Sequence, residues 1–360
     1  MRPKLYAILS DIHANFQALE AVVQDATAVA RKQEADSLHF IVLGDVVDYG
    51  PQPNECMAWT RNHAEIVVQG NHDLDVACSV YQPPKTIDPQ YWPITIWTRM
   101  ILQRAHKMAI RDWLPGIYGQ NWSMPDDLKG FMLFHSSLTS GHQGYIVDPR
   151  AAWDNLQLFR DGVTYGLFGH SHIQGYFIDD PLAKRRANNK MTKMMVVSPE
   201  KSKLNTLNGS ERWQPEILQP DSEHEGVGYT RWKDLPAQPT LFNPGAVGQS
   251  RSHGTTRIIA QHDNRAAYML LKSNGCMQFQ FRRIPYNFEE TIRRLREDVV
   301  WPIPRYADKQ GSDILKPIET NPFTPEVWRG ELMEEYRQTI ALMTTALPKL
   351  VEDKLIPQLR

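Results

Sequence analysis

Five short apolar runs in the first half of this chain each break off into a cluster of Asp, Asn and His. Residues 5–9 run into Ser10-Asp11-Ile12-His13, and residues 39–43 into Gly44-Asp45-Val46-Val47-Asp48. Residues 65–68 lead to Gly70-Asn71-His72-Asp73, residues 131–134 to His135-Ser136-Ser137, and residues 165–168 to Gly169-His170-Ser171-His172. Apolar runs of this length, bounded by turn residues, read as buried strands. A helical pattern over residues 14–30, with Phe16, Leu19, Val22, Val23 and Ala26 on one face, separates the first two. Strands alternating with helices imply an α/β fold whose functional loops follow the carboxyl ends of its strands. Taken singly, each motif is weak: a histidine at a strand end is usually structural, and Gly-Asp or Gly-Asn usually marks a turn. Together, five such sets at one end of five neighbouring strands would meet on one rim.

Composition agrees with a soluble fold and narrows the partners. Of 360 residues, 41% are hydrophobic and 22% charged, enough for a sizeable core in one large domain or two smaller ones. The net charge of −1 gives no electrostatic reason to expect nucleic acid or an acidic membrane surface. Cys56, Cys78 and Cys276 form no CxxC pair, which fits a reducing compartment. The opening apolar run is too short for a signal-peptide core and meets Asp11, and no stretch nears the roughly 18 apolar residues of a membrane span. A cytoplasmic location with no membrane partner is the expectation.

Further along, residues 94–108 read as one amphipathic helix with Trp97, Ile101, Ala105 and Met108 on one stripe. Residues 179–239 are rich in Lys, Asn, Ser, Pro and Glu and read as an insertion, with a single apolar run at 194–197. Its first part is basic (Lys184, Arg185, Arg186, Lys190, Lys193) and its later part acidic, in the manner of a solvated surface. Strand patterns return at 240–242, 267–271 and 277–281, with a turn at Ser273-Asn274-Gly275, and suggest a meander forming a second sheet. A helix is expected over 288–299, and a last one over about 325–347, whose apolar side suits packing on the domain or against a second copy of the chain. The expected organisation is one domain over residues 1–300, with the insertion at about 179–239, and a helical extension over 301–360.

Imidazole and carboxylate ligands in one cluster suit Mn, Fe, Co, Ni or Zn better than Ca or Mg, which prefer all-oxygen shells. In this order, the motifs resemble the calcineurin-like metallophosphoesterase superfamily, and more closely its small bacterial and archaeal phosphodiesterase-like members. The segments GDVVDYGPQPNEC, GNHD, GHSHIQG, NPGAVGQSR, AAYMLL and RRIPYNFEET carry the similarity, over roughly residues 4–178 and 240–297. The resemblance implies a four-layer α/β/β/α sandwich of two mixed sheets, with a di-metal site at the C-terminal ends of strands. By the same resemblance, Asp11, His13 and His172 would bind one divalent transition-metal ion, with manganese the first choice in vitro. Asn71, His135 and His170 would bind a second, and Asp45 would bridge the two. His72, oriented by Asp48, would stabilise or protonate the leaving oxygen while a metal-activated hydroxide attacks a phosphorylated small molecule or nucleotide. His72 as a ligand is the competing reading. It is disfavoured because neighbouring side chains on an extended segment point apart.

One position departs from part of the superfamily. The phosphoprotein phosphatases and diadenosine tetraphosphatases carry Arg after the second Asp of GDxxD, and here that residue is Tyr49. A Tyr cannot reproduce the bidentate clamp of a guanidinium on phosphate, which counts against both substrate classes. Arg251 is the substitute considered for substrate binding, with Arg257 beside it in sequence. Nuclease action would want a broad basic face, for which only residues 184–203 speak. The presence of every ligand type argues against a non-catalytic interaction scaffold.

Overall fold

The computed structural model describes residues 2–77, 92–113, 125–141, 144–179, 192–198, 213–248 and 265–297. The first sheet is founded on β1 (Lys4–Leu9), with β2 (Ser37–Val42) and β3 (Ala64–Val67) added in parallel on one side. All of β1 after Lys4 is buried, because both of its faces are covered, and so its sequence is a continuous apolar run and not an alternating one. Its residues still sort by parity. Ala7 and Leu9 face one core, and Tyr6 and Ile8 face another.

The second sheet opens with β4 (Phe131–Leu133) and β5 (Tyr165–Leu167), which are parallel, and continues through β6 (Gly175–Asp179), β7 (Thr192–Ser198) and β8 (Trp213–Ile217). The chain then returns to the first sheet with three two-residue strands: β9 (Gln219–Pro220), β10 (Gly228–Tyr229) and β11 (Lys233–Asp234). It crosses again for β12 (Thr240–Asn243), which lies between β5 and β6, and finishes the first sheet with the hairpin β13 (Ala266–Ser273) and β14 (Met277–Ile284). The resulting orders are β3-β2-β1-β13-β14-β10-β9, with β11 also on β14, and β4-β5-β12-β6-β7-β8. Both sheets are mixed.

Helices close the two outer faces. The helix α1 (Phe16–Lys32) is capped by the Asn15 side chain, which accepts from Ala18 N, and it buries Ala18, Leu19, Val22 and Ala26. With α2 (Pro53–His63), whose Cys56 and Met57 are buried, it covers the first sheet over Ala7, Leu9, Val42 and Leu270. Between the sheets lies an aromatic-rich layer of Tyr6, Phe242, Met269, Phe279 and Phe281. Outside the second sheet, α6 (Pro149–Leu156) packs Ala152 and Leu156 against Phe168, Phe177 and Leu241. The fold is therefore the expected four-layer α/β/β/α sandwich.

Three expectations change in detail. The stripe over 94–108 is two helices, α4 (Trp92–Ile101) and α5 (Arg104–Asp112), broken at Gln103, whose φ of −61° and ψ of 145° are extended. Trp97 is buried, but Ile101 and Met108 face solvent. The three later strands do not form one meander. All four residues of β12 are buried, and it slots into the second sheet, while β13 pairs with β1 of the first. Residues 179–239, read as an insertion, extend both sheets through β7 to β11 and so are woven into the fold. The helix expected after β14 is present as α7 (Phe288–Glu297). The expected helix at 325–347, the basic residues 184–186, and Arg251 and Arg257 lie outside the described residues. Among the described residues, no helix is long and apolar enough to cross a membrane.

Candidate metal centre

The ends of β1, β2, β4 and β5 lie on one rim, and the backbone locks them there before any side chain is considered. Asp11 N donates to Gly44 O, His13 N to Asp45 O, and Gly169 N to His135 O. The two sheets are laced together beyond the strands, where Val247 N donates to Ser10 O and Gly248 N to Asp11 O. Two glycines permit this closeness. A Cβ on Gly44 would lie 2.7 Å from both Gly70 N and His135 Nδ1, and one on Gly169 would lie 1.9 Å from Ser10 Oγ.

Immediately past the strands the chain turns left-handed. Asp11, His13, Ala14, Asp45, Asp48, Tyr49, His170 and His172 all have φ between 47° and 76°. Such conformations cost a non-glycine residue about 1–2 kcal/mol, and Asp, Asn and His tolerate them better than most. Their concentration at one rim marks a place where side-chain direction is set at the expense of backbone comfort.

Two clusters result. Ligand atoms of Asp11, His13 and His172 lie within 4.8 Å of one another, as do those of Asp45, His135 and His170, and all six residues are buried. In the first cluster, His172 Nε2 is 3.2 Å from Asp11 Oδ1 and 3.2 Å from His13 Nε2. In the second, His135 Nε2 is 3.0 Å from Asp45 Oδ2 and 3.2 Å from Asn71 Oδ1. The carboxylate oxygen Asp45 Oδ2 is also 3.8 Å from His13 Nε2, so it borders both clusters. The structure thus brings together every residue expected as a ligand.

The donor chemistry fits cations. His135 donates from Nδ1 to Leu43 O at 2.7 Å, which turns Nε2 toward two oxygens. His13 Nδ1 faces Val47 O at 3.4 Å, and its Nε2 meets the Nε2 of His172. Asp45 Oδ2 and His170 Nε2 are buried without a hydrogen bond of good geometry. Lone pairs converging in a dry site repel one another unless a positive charge sits among them. Burial holds His13 and His170 well below the usual imidazole range, so both are neutral and able to coordinate at pH 7. At His135, burial works against the charged ring, but the Asp45 carboxylate outweighs it and lifts the pKa to about 9. Burial would raise Asp11 as well, yet His172 holds it below the ordinary carboxylate range.

His72 belongs to neither cluster. Its Nδ1 donates to Asp48 Oδ2 at 2.7 Å, and both residues are buried. It stands edge-on to His13, with ring centroids 5.1 Å apart. Asn71 and His72 open a helix, α3 (Asn71–Ala77), and are not on an extended segment as expected. Successive helical residues diverge by about 100°, so the two side chains still separate. Tyr49 packs its ring against His13 and His72, at 4.7 and 4.5 Å.

Some contributors stand outside the expected ligand set. Tyr145, 47% exposed, stacks on the His170 ring at 4.1 Å and 20°. Asn243 donates to Gly169 O and Ser171 Oγ and accepts from Gly245 N, which gives the Asn-Pro-Gly turn its role of bracing the Gly-His-Ser-His loop. Asp73 collects three backbone donors: Val46 N and Val47 N on Oδ1, and Gly70 N on Oδ2. Burial, and then the nearby Asp45 carboxylate, push Asp73 up to about 7 in spite of these bonds. Replacing it with alanine would strand buried donors on two ligand-bearing loops. Asp73→Ala is therefore expected to lower unfolding stability by about 3 kcal/mol or more, at about 1–3 kcal/mol per orphaned group. Urea denaturation checks this, and a loss below about 1 kcal/mol would mean that water replaces the carboxylate freely.

Two buried Asp/His clusters thus stand at the strand ends of a two-sheet α/β sandwich. The model of the calcineurin-like phosphoesterase family matches residues 5–174. It is 30% identical over 181 residues to an uncharacterised protein of Methanocaldococcus jannaschii, a match covering 48% of this chain and 64% of that relative. Among solved structures, a metallophosphoesterase from Sphaerobacter thermophilus is 26% identical with a TM-score of 0.56, over 83% of this chain and 96% of that one. A hypothetical protein of Pyrococcus horikoshii shares the fold at 13% identity and a TM-score of 0.51, over 82% and 93%.

Proposed function

We propose that this chain hydrolyses phosphoesters, diesters ahead of monoesters, at a centre of two divalent transition-metal ions. The observation that carries the reading is Asp45 Oδ2, a buried carboxylate oxygen without a well-formed hydrogen bond, lying between His135 Nε2 at 3.0 Å and His13 Nε2 at 3.8 Å. Asp11, His13 and His172 would hold one ion, Asn71, His135 and His170 the other, and Asp45 both. Two such ions, when bound, supply a strong nucleophile at neutral pH and neutralise the phosphoryl oxygens. Two carboxylates leave that pair with surplus positive charge for an anionic ester, and neutral Asn71 preserves it. His72, held through Nδ1 by Asp48, would present Nε2 to the leaving oxygen. The preference for diesters follows the resemblance to phosphodiesterase-like members and the absence of the arginine clamp at Tyr49. The deciding experiment loads the protein in turn with Mn, Zn, Fe or Ni and assays a panel of mono- and diesters and nucleotides. A metal-replete sample inert toward all of them would remove the proposal.

Metal uptake should depend on pH in a defined direction. A His135 ring with a pKa raised to about 9 carries an extra proton at pH 7, and coordination must expel it. Protons therefore compete with the cation below about pH 9, and affinity should climb as pH rises from 7 to 9. Titration with Mn by calorimetry in buffers of different ionisation enthalpy would show release of a proton at pH 7. An affinity that stays flat between pH 7 and 9 would contradict the proton count.

A further inference from the structure

Helix α4 reaches the site through one side chain. Thr95 is fully buried and donates from Oγ1 to Asp48 Oδ2 at 2.7 Å. The same oxygen accepts the His72 Nδ1 proton at 2.7 Å, while Asp48 Oδ1 accepts from Tyr49 N at 3.0 Å. One turn on, Arg99 donates from Nε and Nη2 to the carbonyl of Asp75, which lies on α3 with His72. Helix α4 is thus joined to the element bearing His72 at two points, once through Asp48 and once directly.

We propose that Thr95 is a positioning residue for the His72–Asp48 pair. A carboxylate turns easily about its terminal torsion. With only a backbone donor on Oδ1, Asp48 could rotate and carry the imidazole with it. A second donor on Oδ2, converging with His72 Nδ1, fixes the carboxylate plane and so the direction of the ring. The inference rests on the proposed role of His72 in leaving-group departure. In that step water supplies the new oxygen to phosphorus and sheds a proton to solvent. The bond from phosphorus to the leaving oxygen breaks with its electron pair, and that oxygen takes the proton from His72 Nε2. Holding the ring matters most for a leaving group that cannot depart as a stable anion.

The test compares Thr95→Val, Thr95→Ser and His72→Ala as full-length, Mn-loaded proteins on two phosphodiesters, one with a p-nitrophenyl and one with a methyl leaving group. Thr95→Val is expected to lower kcat on the methyl ester about 10-fold and on the p-nitrophenyl ester less than about 2-fold, with KM unchanged. Thr95→Ser, which keeps the hydroxyl, should restore both. In the unloaded protein, the downfield proton resonance assigned to His72 Nδ1–H by its loss in His72→Ala should shift or broaden in Thr95→Val and return in Thr95→Ser. Elemental analysis and the unfolding midpoint establish that each variant is folded and binds metal, and Thr95→Ala replaces Thr95→Val if valine prevents folding. Equal losses on the two esters, or a serine variant as poor as valine, would overturn the inference while a biased His72→Ala left the role of His72 standing. An unbiased His72→Ala would overturn that role and the inference with it.

Discussion

Asp45→Asn is expected to cut turnover by more than about 1000-fold and to weaken the binding of both metal ions. Asp45 Oδ2 borders both clusters, 3.0 Å from His135 Nε2 and 3.8 Å from His13 Nε2, while Oδ1 accepts from His72 N at 2.9 Å. An asparagine keeps the shape and fails in either orientation. With its oxygen on His72 N, its amide protons point at the place where cations would sit. Flipped, its amide faces the His72 N–H, donor against donor, in a buried site. The substitution also removes one of two carboxylate charges that would balance the ions. Elemental analysis after dialysis, together with the rate on a phosphodiester, measures both effects. Two ions retained at unaltered affinity with near-normal turnover would rule out a bridging Asp45.

The rim was readable because each ligand follows a run whose strand character is unambiguous. Residues such as Asp11 after 5–9 or His170 after 165–168 are placed by the strand before them, and the strands were legible as apolar runs. What could not be read depends on contacts between distant segments. Asp73 has the composition of a turn residue, and only the arrival of Val46 and Val47 from another loop gives it three donors. Gln174 is an ordinary polar residue in sequence. Buried, it donates toward the carbonyls of Pro244, Tyr268 and Arg282 and accepts from Arg283, joining the second-sheet loop to β13 and β14. Tyr145 reads as a loop aromatic until His170 comes beneath it. The expected grouping of β12 with β13 and β14 fails for the same reason: a short buried strand suits either sheet, and its partners, β5 and β6, lie far away in the chain. The break at Gln103 is different in kind, because the apolar periodicity of α4 continues across it into α5 with no glycine or proline to mark the stop.

His72→Ala should leave two ions bound and lower kcat by about 100- to 1000-fold, the range of a positioned general acid. The geometry separates it from the ligands. Its Nδ1 is committed to Asp48, whose other oxygen is held by Tyr49 N, and its ring meets His13 edge-on without joining either ligand cluster. A carboxylate on Nδ1 stabilises the charged imidazole, which is the form that can give a proton from Nε2. Loss of the ring removes that proton source but none of the atoms proposed to hold the ions, so metal content and KM should change little while kcat falls. The deficit should grow as the leaving group becomes more basic, because a poor leaving group needs the proton before the phosphorus–oxygen bond can break. Asp48→Asn probes the same pair from the other side: an amide can accept the Nδ1 proton, but it cannot stabilise the ring's positive charge, so a smaller loss with the same leaving-group trend is expected. If His72→Ala instead released an ion on dialysis, the imidazole would be a ligand, and proton delivery would have to come from another group at the rim.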